Sequence, residues 1–261
     1  MDLTGRTALV TGASGGIGAG IATALAARGS DLVLVARSTD ALEQLARTLR
    51  ERHGRDALVV TADLSAPGAA AAVERAVRGR EVDVLVNNAG FGLGGRLTDT
   101  DDPARLSAMV TLNCTTLTEL TARFLPAMVA RRRGAVVNVA SMAGYFPAPG
   151  LAAYAATKAY VLSLTEALWA ETRGTGVRVA ALSPTVTDTG FFDVAGEATG
   201  AGMRRRTVDQ VVATFLDTLD ADRPVVVDGR VNEVLAALAR RVPRRPLLRL
   251  VGPRFADRVS G

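Results

Sequence analysis

Three residues in one short stretch have the types and spacing for acid–base chemistry. Twelve residues separate Ser141 from Tyr154, and Lys158 follows the tyrosine by four. In a helix, positions i and i+4 share a face, so Tyr154 and Lys158 present their side chains together. A free phenol, with a pKa of about 10, is a poor acid–base catalyst near neutrality. A neighbouring ammonium favours the phenolate, which predicts a depressed pKa and a general acid or base role for Tyr154. Among 31 basic residues Lys158 is the only lysine. Its compact ammonium, with three rotatable donors, does what a planar guanidinium cannot easily do. A surface lysine near a core tyrosine is the plainer alternative, and the pair alone does not separate the two. The flanking motifs do.

The elements that must position this stretch follow from the apolar pattern. Arg6 to Thr11 is a buried strand running into the turn Gly12-Ala-Ser-Gly-Gly-Ile-Gly18, after which Ile21, Ala22, Leu25 and Ala26 carry helical spacing as far as Gly29. Glycines there let the backbone approach a pyrophosphate at a helix N-terminus, where free N–H groups and the dipole favour negative charge. Gly12, Ser14, Gly16, Ile17 and Gly18 are therefore candidate cofactor contacts, with a plain tight turn as the alternative. The second strand, Asp31 to Ala36, ends at Arg37. An acid at that point would grip the 2′-hydroxyl of NAD. A guanidinium without one suits the 2′-phosphate of NADP, so NADP(H) is expected in preference to NAD(H), with Ser14 and Ser38 sharing the phosphate.

Helix, strand and helix follow at Thr39–Arg52, Ala57–Thr61 and Gly68–Arg78. Asp63-Leu64 lies past the third strand, where Asp63 either accepts from an adenine amino group or caps a helix. Val82–Asn87 is the fourth strand, ending in Asn87-Asn88-Ala89-Gly90. Alternating helices and strands predict an α/β fold: one doubly wound domain with a mostly parallel seven-stranded sheet, helices on both faces, and ligand at the strand C-termini. Asp102-Pro103 reads as an N-cap followed by proline in the first turn. The apolar run Leu106–Val129 predicts one long helix or two abutting ones, closed by Arg131–Arg133 at the negative end of the dipole. Within it Asn113 is expected either to be buried with a partner or to kink the helix, and Cys114 to be a small core residue. Ala135–Ala140 is the fifth strand and delivers Ser141. The Tyr154–Lys158 helix runs to about Gly174, the sixth strand covers Val177–Leu182, and Thr207–Leu219 and Pro224–Val227 form a last helix and strand. Between them, Gly190–Gly202 reads as a mobile lid.

Composition narrows the function classes. Apolar residues make up 48% of 261 residues and no linker-like break appears before the C-terminal region, so one sizeable core is expected. No run reaches the roughly 18 apolar residues of a membrane span. The N-terminus enters a strand pattern without a charged, then apolar, leader, which predicts no signal peptide. The single cysteine cannot form an internal disulfide and fits a reducing, cytoplasmic compartment. One histidine, His53, at a helix end argues against histidine catalysis and a His/Cys metal site. A net charge of +5 permits anionic ligands, but no aromatic-interleaved basic patch points to nucleic acid.

Taken together, Thr11–Gly18, Asn87–Gly90, Asn113, Ser141, Tyr154 and Lys158 resemble the short-chain dehydrogenase/reductase family over roughly Leu3 to Val227. The resemblance implies an Asn113–Ser141–Tyr154–Lys158 tetrad acting with a nicotinamide cofactor. Tyr154 would exchange the proton with a carbonyl oxygen. Lys158 would lower its pKa and hold the nicotinamide ribose. Ser141 would bond the substrate oxygen, and Asn113 would hold a water linking Lys158 to bulk. It further implies cofactor contacts at Asn87, Ala89, Gly90, Pro184, Val186, Thr187 and Thr189, and pairing into a homodimer or homotetramer through the helices carrying Asn113 and Tyr154. Two departures stand out. Gly15 replaces a basic residue that NADP-binding relatives often carry, and Thr185 replaces the usual glycine, where a β-branched residue cannot cheaply adopt φ > 0.

The expected activity is NADP(H)-dependent interconversion of a ketone or aldehyde and an alcohol. Met142, Phe146, Pro147, Phe191, Phe192 and Met203 would line an apolar cleft for a hydrophobic substrate. The alternatives are a non-catalytic NADP(H)-binding regulator or scaffold, which would not need the Tyr154–Lys158 pair, and reduction of an activated C=C bond. Residues 1–229 are expected to form the domain and 230–261 a basic amphipathic extension, with Val231, Val234, Leu235, Leu238 and Val242 on one face. That extension reads either as a piece lying on an anionic membrane surface or, more plainly, as a flap over the cleft or against a subunit partner.

Overall fold

The structure is a computed structural model and describes residues 1–191, 196, 205–246, 248 and 249. Seven strands form one sheet in the order β3-β2-β1-β4-β5-β6-β7: β1 Thr7–Thr11, β2 Asp31–Ala36, β3 Ala57–Thr61, β4 Val84–Asn87, β5 Gly134–Val139, β6 Val177–Ser183 and β7 Val225–Val227. Each pairing is parallel, so the sheet is wholly rather than mostly parallel. Strands buried on both faces read as unbroken β-branched and leucine runs, and their alternate side chains feed two cores. Ala8 and Val10 of β1 join Leu32 and Leu34 of β2 under α1 (Gly16–Ala27), α2 (Thr39–His53) and α7 (Val208–Asp220). Leu9, Val33 and Val35 face the other way, under α3 (Ala69–Ala76) and α5 (Leu117–Ala130). The remaining helix on that side, α6 (Ala152–Glu171), ends three residues before the expected Gly174.

The run from Pro103 to Ala130 is unbroken but not uniform. Helix α4 (Pro103–Val110), capped by the Asp102 carboxylate on the Arg105 N–H, passes through a π-helical turn at Thr111–Thr116 into α5. The wide turn falls on Asn113, which is both buried and partnered. Arg131–Arg133 do more than neutralise a helix end. Arg131 donates to the Val82 carbonyl, Arg133 to Asp83, and Arg132 to the Gly174 carbonyl, so the triplet ties the start of β5 to the segments leading into β4 and β6.

Helix α8 (Arg230–Arg241) follows β7 and docks through Ala236 and Ala239. Its long apolar residues share one face as expected, but that face points outward, with Val231 73% and Leu238 50% exposed. The far end of α8 comes near the site: Arg240 pairs with Glu166 and lies over the Tyr145 ring. Among the described residues no helix is long and apolar enough to cross a membrane, and no His/Cys/Asp/Glu cluster could hold a metal ion.

Candidate active site

The strand order reverses beside β1, whose neighbours β2 and β4 send their following helices to opposite faces. Such a switch point leaves a crevice at the strand C-termini, and Gly12–Gly18 sits in it. Side chains outside the turn hold it there. The Thr11 hydroxyl accepts from the Asn88 and Ala89 N–H groups, each at 2.9 Å, and donates to the Val86 carbonyl. In return the Asn88 amide donates to the Thr11 carbonyl at 2.9 Å and to Gly12 at 3.3 Å. Gly18 has to be glycine, because a Cβ there would lie 2.2 Å from the Gly12 oxygen. Helix α1 begins with no side-chain cap and no acid in its first turn, and space is open around Gly15. Ser14 and Gly16 are exposed there, while Ile17 packs partly on the core. An open helix N-terminus behind a glycine cradle fits the pyrophosphate of a dinucleotide. Thr11 and Asn88 stand in the sequence motifs, but nothing in the sequence named them as the turn's fasteners. Two adjacent amides ending a buried strand were the available signal.

The remaining expected contacts differ from one another in character. Asn87 lies inside the molecule, 3% exposed, donating to Thr121 Oγ1 and Asn138 Oδ1, and Asn138 donates onward to Thr165. This polar chain ties β4 and β5 to α5 and α6. Arg37 and Asp63, by contrast, are exposed at the ends of β2 and β3. Asp63 does not cap a helix. It accepts from the N–H and hydroxyl of Ser65, and these bonds hold its carboxyl below the usual range, with a smaller contribution from the Arg37 charge. Leu64 beside it is buried, and its carbonyl accepts from Thr116.

Ser141 emerges from the end of β5, and α6 brings Tyr154 and Lys158 to it on one face. Tyr154 is 7% and Lys158 5% exposed. Ser141 Oγ accepts from the Ala143 N–H at 3.2 Å and lies by the Tyr154 phenol, whose pKa it lowers. Lys158 Nζ donates to the Val139 carbonyl at 2.8 Å and lies 5.9 Å from the centre of the Tyr154 ring. The expected depression of the phenol does not emerge from this geometry. Burial pushes Tyr154 up to about 12, with only Ser141 opposing it, and burial brings Lys158 down to about 8. Desolvation outweighs the Ser141 hydroxyl in this arrangement.

Asn113 joins the group from the π-helical turn. Its Oδ1 accepts from the Phe91 N–H, and its Nδ2 donates to the Phe91 carbonyl and to Thr157 Oγ1. The amide thereby locks the Gly90–Phe91 loop to α6. A Cβ on Gly90 would come 2.9 Å from Asn113 Oδ1 and 3.5 Å from Lys158 Nζ, so glycine is what admits both groups. Cys114 is half-buried, its thiol pushed up by burial.

A model of the short chain dehydrogenase family matches residues 6–199. The chain belongs to that family. It is 40% identical over 185 residues, 70% of this chain and 69% of the relative, to oxidoreductase UcpA of Escherichia coli K12. Among solved structures it is similar to a short-chain dehydrogenase from Sphingobium yanoikuyae in complex with NADPH, with a TM-score of 0.81 and 38% identity, covering 85% of this chain and 87% of that one. It is also similar to a bulky-bulky ketone specific alcohol dehydrogenase from Comamonas testosteroni, with a TM-score of 0.78 and 33% identity, covering 91% and 92%.

In this short-chain dehydrogenase the limb after β6 runs past the site. The Pro184 carbonyl accepts from the Met142 N–H. Thr185 is not strained, since Arg132 is the only non-glycine with positive φ among the described residues. The loop accommodates the threonine with an ordinary backbone, at the cost of a buried hydroxyl that has no partner. Thr187 is buried, and Thr189 touches the glycine-rich turn: a Cβ on Gly16 would meet its methyl at 3.1 Å. The Phe191 ring is centred 5.5 Å from Tyr154.

The expected apolar lining divides. Phe146 and Pro147 line a cavity of about 350 Å³ with Ala152, Ala155, Ala156 and Arg244, on a different face of α6 from Lys158. Met142 packs with the third core cluster. Phe192 and Met203 lie outside the described residues.

Proposed function

We propose that this chain is an NADP(H)-dependent oxidoreductase interconverting a hydrophobic ketone or aldehyde with its alcohol. The observation that carries the reading is a desolvated Tyr154–Lys158 pair, with Ser141 at its edge, beside an open glycine-cradled helix N-terminus. Gly12–Gly18 would hold the pyrophosphate, Arg37 the 2′-phosphate, and Asp63 and Leu64 the adenine side. Ala89, Gly90, Pro184, Val186, Thr187 and Thr189 would flank the ribose and nicotinamide, with Asn87 bracing the strand beneath them. The exposed guanidinium at the end of β2, with Ala36 before it where an acid would serve NAD, supports NADP(H). When bound, the cofactor supplies or takes up a hydride equivalent.

The remaining work falls to the chain. Burial keeps the Tyr154 phenol protonated at neutral pH, so it enters as a donor to a carbonyl oxygen, which favours the reductive direction. The Ser141 hydroxyl beside it would share that oxygen. Lys158 spends one donor on Val139, leaving the others for ribose hydroxyls and for the tyrosine as charge develops. Asn113 holds the Gly90 loop where it admits the ammonium. Phe191 against Tyr154 gives the cleft an apolar wall, and the ketone named for the Comamonas enzyme is likewise bulky. Residues 230–261 are read as an extension on the 1–229 domain, in a cytoplasmic protein pairing through α5 and α6.

The test is NADPH consumption by the purified protein across apolar and polar carbonyls, with Tyr154→Phe alongside. Turnover of apolar carbonyls that vanishes in the variant is expected. Tight NADPH binding with no turnover on any carbonyl would favour a sensor, and turnover of small polar carbonyls alone would refute the apolar cleft.

A further inference from the structure

Asp228 is fully buried at the end of β7, yet nothing in the chemistry above uses it. Its carboxylate is held by a fork. Arg206 Nε donates to one oxygen at 2.9 Å and Nη2 to the other at 2.8 Å, and the Thr214 hydroxyl adds a bond at 2.7 Å. Its backbone is fixed as well: the N–H donates to the Ser183 carbonyl, and the carbonyl accepts from Asn232. The acid is thus anchored to β6, α7 and α8 at once. Arg206, by contrast, belongs to the returning end of the segment that leaves β6 beside the site. Its N–H donates to the Val186 carbonyl at 2.8 Å, and its carbonyl accepts from the Asp188 N–H at 2.9 Å, bridging Thr187 in parallel register.

We infer that Arg206 is a positioning residue, whose forked bond to Asp228 fixes the Val186–Thr189 limb against the glycine-rich turn and thereby sets the affinity for the dinucleotide. The inference rests on the functional reading given above. Two bonds in one plane define a direction as well as a distance, which a single ammonium or an apolar contact would not. Arg206 passes that direction to Val186 and Asp188 through its own backbone. The limb then delivers Thr189 to Gly16 and Phe191 to Tyr154. Thr207, the next residue, closes the arrangement with a capping box to Gln210 that starts α7.

Removing Arg206 alone would leave a buried carboxylate uncompensated, so unfolding would confuse the result. The test therefore uses the double variant Arg206→Met/Asp228→Leu, which removes both charges, together with Arg206→Lys, which keeps the charge without the fork. NADPH affinity is followed by fluorescence titration, KM and kcat by steady-state kinetics, and folding by thermal melting. In the double variant, Kd and KM for NADPH are expected to rise about tenfold while kcat changes less than about threefold, the pattern of lost uniform binding. Arg206→Lys should fall between it and wild type. A folded double variant with wild-type affinity and KM would overturn the inference and leave the pair a structural one. A Lys variant that melts like wild type but binds NADPH as tightly would do the same. If wild type itself bound no NADPH, the functional reading would fail, and this inference with it.

Discussion

Asp228 and Lys158 are both charged and both buried, and their surroundings differ. Asp228 meets a bidentate guanidinium, a hydroxyl and an anchored backbone. Lys158 meets one carbonyl oxygen and, among the described contacts, no carboxylate. A carboxylate satisfied on every side is held in one place by the fold. An ammonium given one neutral acceptor is a cation kept in reserve, and burial brings its pKa down to about 8. The contrast separates a charge used to fasten the chain from one poised for a ligand.

The comparison breaks most sharply at Lys158 and its neighbour. Tyr154→Phe and Lys158→Met should each cut kcat for carbonyl reduction by about 10²–10⁴, the usual worth of a positioned acid or base. Neither should lower the melting temperature, since the methionine removes an uncompensated buried cation. A Lys158→Met protein that melts well below wild type would place the two charges in the same class. Asp228→Ala should behave oppositely, destabilising by about 3 kcal/mol, the low end for breaking a buried pair because Arg206 is partly exposed. Chemical denaturation would measure it, and a change within error would remove the fastening role.

The pH response sharpens the same contrast. As Lys158 falls from 10.5 unfolded to about 8 folded, the unfolded chain binds the extra proton between those values. Stability should therefore rise with pH across that window, and the rise should flatten in Lys158→Met. Tyr154 acts with opposite sign, its folded phenol holding the proton longer, so stability should fall above about pH 10. For turnover, kcat/KM in the reductive direction should decline above about pH 8 as the free enzyme's ammonium neutralises. A flat profile to pH 10 would contradict it. The smallest effect belongs to Thr185. Replacing its orphaned hydroxyl by Thr185→Val should stabilise the chain by about 1 kcal/mol without changing NADPH affinity. A loss of affinity would mean that the hydroxyl serves the ligand.

What the sequence revealed follows the range of the forces involved. Strands such as Asp31–Ala36, the glycine turn and the Tyr154–Lys158 helix are written in local periodicity and spacing, and the structure places them as read. Asn113 was expected either to be buried with a partner or to kink its helix; it is buried and partnered, in a π-helical turn. The phenol's pKa went the wrong way because spacing reports which groups are neighbours, while burial is set by elements far along the chain. The Arg206–Asp228 fork had no local signature, since its partners are far apart in sequence and ordinary in composition. Thr185, which cannot cheaply take φ > 0, was expected to make its loop run differently from one that carries glycine, and its φ is not positive.

The place of β1 in the sheet bears on how the chain is made. It is the first strand to be synthesised, yet it sits near the middle, with Ala8 paired to Leu32 on one side and to Val84 on the other. Its first partner arrives soon, but the second emerges only after two more helices and a strand. Until then the growing chain carries an apolar strand with one row of N–H and C=O groups unmatched, an invitation to stray pairing with other chains. Folding on the ribosome should therefore pass through a sticky half-sheet that completion of β4 relieves, and chaperone dependence should concentrate in that interval.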